Sequence, residues 1–206
     1  MGEREPEFWD VSGVPGVVIR EDRSMLGSSG VVASDDNAYR YILWRSWGAP
    51  WSRPRDHCAW VMLNPSVADA VEGDPTIAKC VGFSHRHGHE GIVVVNLFAL
   101  RSTDPKVLVS SRDPVGPHNP RFVHQVLGHP AVSRVVLAWG NDGELDARDE
   151  AFCVVHAGRE LWCLQPPGKP ALTKTGSPRH PGRISYASEL RRVTWDGALS
   201  VMEGTS

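Results

Sequence analysis

Three side chains stand out as able to do chemistry: Asn64, Asn96 and His180. Asn64 opens an Asn-Pro turn directly after the apolar run Cys58 to Leu63. Such a turn presents an amide, with the backbone of Pro65 and Ser66, at the end of a strand, where it can hold a water but cannot act as a strong base. The same dipeptide also serves simply to cap a turn. Asn96 sits in an otherwise wholly apolar run, Ile92 to Leu97, where an unpaired amide costs on the order of 1 to 3 kcal/mol. An amide offers one donor group and one acceptor, as the edge of a pyrimidine or purine requires, although neighbouring backbone can satisfy it instead. His180 lies between Pro178 and Pro181 in a loop with Lys174 and Arg179, well typed to donate to an anionic leaving group or a phosphate.

Other groups fall beside these. Arg101 and Asn141 follow the second and third apolar runs, and Asp69 and Asp74 lie close enough to Asn64 to supply a carboxylate. Phe98 and Phe83 are candidate stacking faces, with Phe98 preferred because Phe83 falls on the apolar stripe of a helix with Ile77 and Cys80. The run His85-Arg86-His87-Gly88-His89 invites a metal, yet alternate positions at a helix end point to different faces, and cationic residues there suit the helix dipole. No metal is expected. Four scattered cysteines, Cys58, Cys80, Cys153 and Cys163, show no paired spacing and read as reduced thiols.

The elements that must position these groups follow from the apolar pattern. Four runs, Cys58 to Leu63, Ile92 to Leu97, Val135 to Trp139 and Leu161 to Leu164, read as strands buried on both faces. Asp74-Pro75 and Asn119-Pro120 each read as a cap followed by proline, launching helices over Thr76 to about His87 and Arg121 to about Gly128; Glu144 to His156 supplies a third. A Val-Val-Ile run at 17 to 19 suits an edge strand, and Tyr39 to Arg45 another strand. The expectation is an α/β fold, a three-layer αβα domain with a four-stranded mainly parallel sheet and an N-terminal strand extension. Residues 1–38 form the extension, 39–195 the domain and 196–206 a tail. Ligands then bind at the carboxyl ends of the strands, where the candidate residues converge.

Taken in order, the motifs MLNPS at 62 to 66, VVVNLFALR at 93 to 101, VVLAWGN at 135 to 141 and PRHP at 178 to 181 resemble those of the uracil-DNA glycosylase superfamily. From Tyr39 to Pro181 the chain is similar to the domain of unknown function (DUF) 1643 family, which looks like a remote branch of that fold. The resemblance implies a uracil-DNA-glycosylase-like architecture and a DNA N-glycosylase of base excision repair. A flipped base would be read by Asn96 and stacked on Phe98. Asn64 would position water near the sugar C1′, and His180 would stabilise charge on the departing base. Pro65, Ser66, Arg101, Asn141, Lys174 and Arg179 would bind substrate, with no cofactor. Branches of the superfamily with Asn at the first motif are slower than those with Asp and select for good leaving groups. The His-Pro loop here continues Gly182-Arg183-Ile184, where the superfamily has Ser-Pro and a Leu that wedges into the base stack.

Charge sets limits. With 22 Lys and Arg against 24 Asp and Glu, the net charge of -2 disfavours tight nonspecific binding to a polyanion. The distribution is uneven, because Lys169, Lys174, Arg179, Arg183, Arg191 and Arg192 face only Glu189 between 169 and 192. That basic stretch is either a phosphate-tracking edge or a solvated face. The partner expected is therefore a nucleic acid, with DNA favoured, or a base-containing small molecule. A hydrolase of free nucleosides or nucleotides and a noncatalytic nucleobase-binding module remain alternatives. No apolar segment suits a signal core or a membrane span, so a cytoplasmic location is expected, with no obligate protein partner.

Overall fold

The computed structural model describes residues 9–47, 56–66, 74–156 and 158–202. Its centre is one nine-stranded mixed sheet in the order β1-β2-β3-β5-β4-β6-β7-β8-β9. The strands are β1 Val17–Ser24, β2 Gly27–Ser34, β3 Arg40–Trp47, β4 His57–Met62, β5 Gly91–Asn96, β6 Val132–Leu137, β7 Leu161–Gln165, β8 Glu189–Trp195 and β9 Leu199–Val201. Helices α1 Pro75–Arg86, α2 Pro105–Ser110, α3 Asn119–Gly128 and α4 Arg148–His156 connect them.

This corrects the expectation of a four-stranded, mainly parallel, uracil-DNA-glycosylase-like αβα fold. The four apolar runs do become β4, β5, β6 and β7, parallel to one another. They are flanked on both sides by antiparallel strands, so five of the eight strand pairings are antiparallel. The reason lies in the flanking sequences. β8 reads ELRRVTW, its charges exposed and its Val193 buried, which suits an antiparallel strand wetted on one face, while β2 reads GSSGVVAS, where Ser and Gly break the apolar run although the strand is largely buried. The edge-strand expectation at 17 to 19 meets β1, at one end of the sheet. β1 and β2 turn through only Met25 and Leu26, and Gly27 is required there: a Cβ would lie 2.0 Å from the Ser46 carbonyl oxygen.

Strand parity divides the core in two. Cys58, Trp60, Val94 and Ile92 pack under Ile77, Cys80 and Phe83 of α1. Ala59, Val61, Val93 and Val95 face the other way, against Phe122, Val126 and Leu127 of α3 and Phe152 of α4. Asp74 caps α1 as expected, accepting from the Thr76 and Ile77 N–H groups, with Pro75 at the first turn. The second expected cap is corrected. His118, without a side-chain bond, precedes α3, and Asn119 is buried inside it, donating Nδ2 to the carbonyls of Asn96 (2.9 Å) and Leu97 (3.3 Å). It clamps the helix start to the end of β5. All four cysteines are buried and free.

Candidate functional site

The carboxyl ends of β4 and β5 are held side by side beyond their last ladder positions. Leu97 N–H donates to the Met62 carbonyl, Phe98 N–H to that of Leu63 and Ser102 N–H to that of Pro65. Between these ends and the start of α1 lies a cavity of about 240 Å³, lined by Asn64, Ser66, Asp74, Asn96, Arg40 and His180, among others. Four residues singled out by sequence thus share one wall, and Asp74 joins them. Asp69 lies outside the described residues.

Each side chain is set by its bonds. Asn64 donates Nδ2 to the carbonyls of Ser102 (2.8 Å) and Pro65 (3.2 Å), which leaves Oδ1 as the amide's remaining acceptor. Asp74 uses Oδ1 for the α1 cap and accepts the Ser66 hydroxyl on Oδ2 at 3.1 Å. His180 begins a one-turn 3-10 helix, Pro181–Arg183, and its Nδ1 accepts the Gly182 N–H at 3.2 Å. The neutral ring therefore carries its proton on Nε2. Although the ring is exposed at the surface, the protein packed around it lowers its pKa, a pull opposed by the Asp74 carboxylate. At neutral pH His180 is an uncharged donor.

Asn96 is different. It is 3% exposed, and its side-chain amide has no hydrogen-bond partner among the described residues. Buried amides are normally paired, so an amide left open to a cavity is held ready for something that enters it. Asn119 meanwhile grips the Asn96 carbonyl, which fixes the position of that amide.

The other predicted residues scatter. Asn141 and Arg179 line a second cavity of about 580 Å³ with Lys169 and Arg183, and His180 belongs to both cavities. Arg179 is anchored to the carbonyls of Pro170 and Leu172, and Asn141 accepts the Thr175 hydroxyl. Lys174 is exposed and lines neither cavity. Arg101 lines a third cavity, with Arg40. Pro65 is buried behind Asn64. Phe98 is 1% exposed in the α3-side core and is not brought to the Asn64 cavity. Phe83 packs in the core against Tyr186, as its helical stripe indicated. The histidine run disperses: His89 pairs with Asp56 at 3.2 Å, and His85 lies against the Trp47 ring. Two arginines of the basic stretch are paired, Arg191 with Glu189 and Arg192 with Glu160.

Sequence reasoning missed Arg40. At 5% exposure it is a buried cation in the cavity wall, and its signal was a charge inside the strand pattern Tyr39 to Arg45.

The sequence profile described as "Protein of unknown function (DUF1643)" matches residues 40–182, which spans every residue of this cavity. The chain belongs to the DUF1643 family. No curated protein and no solved structure matches it. The family segment begins at Arg40, so β1 and β2 lie outside it. No described helix is long and apolar enough to cross a membrane.

Proposed function

We propose that this DUF1643 protein hydrolyses the N-glycosidic bond of a nucleobase, with a modified or damaged base turned out of DNA as substrate. One observation carries the reading: the amide of Asn96, a residue only 3% exposed, has no partner among the described residues and opens into the cavity that also holds Asn64, Asp74 and His180. A donor and an acceptor on one rigid amide match the edge of a base, which pairs through the same two kinds of group.

The remaining groups suit the reaction. Asn64 Oδ1 accepts a hydrogen bond from water and aims its oxygen at C1′. As the C1′–N bond breaks, positive charge grows on the sugar, and the Asp74 carboxylate supplies a fixed negative charge in the same wall. The electron pair leaves with the base, to which His180 Nε2–H donates. The water oxygen bonds C1′ and its proton passes to solvent. Lys169, Arg179 and Arg183, in the cavity that shares His180, give the attached phosphate a cationic seat. A carboxylate on the Asn64 side favours an enzyme over a binding module.

The test incubates the protein with oligonucleotides carrying uracil, hypoxanthine, xanthine or alkylated bases and scores abasic sites. The expected result is cleavage of at least one, reduced roughly 100-fold or more by Asn64→Ala, Asn96→Ala or His180→Ala. No cleavage of any base, or cleavage indifferent to these substitutions, overturns it. Binding without cleavage supports the binding module, and hydrolysis confined to free nucleosides supports a metabolite hydrolase.

A further inference from the structure

Four arginines converge beside the central cavity. Arg20, Arg40, Arg45 and Arg101 line a space of about 400 Å³ across β1, β2 and β3, with Glu21 and Asp22 as its acidic residues. Arg40 is common to this cavity and the central one, just as His180 is common to the central cavity and the Lys169-Arg179-Arg183 cavity. The three spaces therefore neighbour one another in series, each sharing a lining residue with the next: cationic, amide-lined, cationic. Strand register supports the continuity, since Val94 of the central cavity pairs with Leu43, two residues from Arg45.

Arg45 is half-buried and makes no hydrogen bond or ion pair among the described residues. Burial lowers its pKa and the nearby Asp22 raises it. Glu21 is drawn toward Arg23 at 2.7 Å, and Arg20 donates to Asn37. On a protein of net charge -2, four guanidinium groups against two carboxylates among the described lining residues leave this cavity a local excess of positive charge that draws an anion. A mononucleotide presents phosphate on one side of its sugar. A polynucleotide presents one on each side.

We propose that the arginine cavity holds a phosphate of a single-stranded polynucleotide whose neighbouring base sits on Asn96, so that the strand crosses from the Arg183 side to the Arg45 side. This rests on the reading of the central cavity as a nucleobase site and names the strand state of its substrate. The strand passes one phosphate on each flank of the base, and the flanking arginines meet it through charge-assisted bonds.

The experiment measures binding of a fluorescein-labelled single-stranded pentanucleotide by anisotropy across a salt series, beside a 5′-mononucleotide and a blunt duplex. Wild type is expected to prefer the pentanucleotide to both. Arg20→Gln/Arg45→Gln is expected to weaken pentanucleotide binding about tenfold, to lower the salt slope by about 0.7 for each phosphate no longer neutralised, and to shrink the advantage over the mononucleotide. Arg20→Gln alone, on the outermost strand, guards against a folding defect, and thermal melting is recorded for both variants. An unchanged salt slope in both, or tighter binding of the duplex, overturns the proposal. Binding that depends on Arg45 with no base released leaves this path standing and sinks the glycosidic reading; base release indifferent to Arg45 does the reverse.

Discussion

Asn96 combines two properties that pull against each other: on a residue only 3% exposed its amide loses most of its contact with bulk water and gains no partner among the described residues, yet it faces a cavity, which serves a ligand. Asn96→Leu removes the unpaired polar group at similar size. The expected outcome is a melting temperature equal to or about 2–4 °C above wild type by calorimetry, with base release abolished. A large loss of stability would mean the amide is structural. His180 gives a second expectation. Protonation removes the Nδ1 acceptor of the Gly182 N–H, so activity falls through the His180 pKa, which desolvation by the protein packed around this surface ring sets below the ordinary histidine value while Asp74 pulls it back up. Asp74→Asn keeps an equally good cap. It is expected to move the acid limb of the pH–rate profile to lower pH, and a shift upward contradicts the assignment. At this scale residue types were legible where polarity broke an apolar run, as at Asn64 and Asn96. Arg40 was not, because a charge in an alternating strand reads the same whether it faces water or a cavity.

Among the elements, α4 carries the clearest electrostatic liability. His156 is 5% exposed against the Phe152 ring, and burial, with smaller contributions from Arg159 and His124, lowers its pKa to about 4. The unfolded chain therefore takes up this proton near pH 6.5 and the folded chain only near 4. The stability it contributes is fully present above pH 6.5 and is lost as pH falls toward 4, on the order of 3 kcal/mol at most. His156→Phe is expected to flatten that part of the stability profile in urea titrations between pH 4 and 7, and an unchanged profile rejects the assignment. Capping chemistry told true and false signals apart only partly. Asp74-Pro75 caps α1, whereas Asn119-Pro120, the same kind of signal, is a buried clamp on β5. An amide next to proline satisfies the backbone of its own helix or of a neighbouring strand, and the choice depends on what packs beside it.

For the whole molecule, the sheet extends past the family segment at both ends. Val32 and Ala33 of β2 are 0% and 1% exposed, and Val32 belongs to the α3-side core. Deleting residues 1–38 strips β1 and β2 from β3 and bares a strand edge. The truncated chain is expected to aggregate or to lose its cooperative melt, and a soluble product melting at the wild-type temperature would establish residues 39–195 as autonomous. The sequence by itself determined the four buried parallel strands, the α1 cap and the polar groups at the strand ends, because each of those is written in a local pattern of apolar runs and capping residues. Only the tertiary structure decided that antiparallel strands flank the parallel four, that Asp74 and Arg40 join Asn64, Asn96 and His180 in one cavity, and that Phe98 stays in the core. Those outcomes depend on which strand edge pairs with which, and pairing is settled by contacts between segments far apart in the chain.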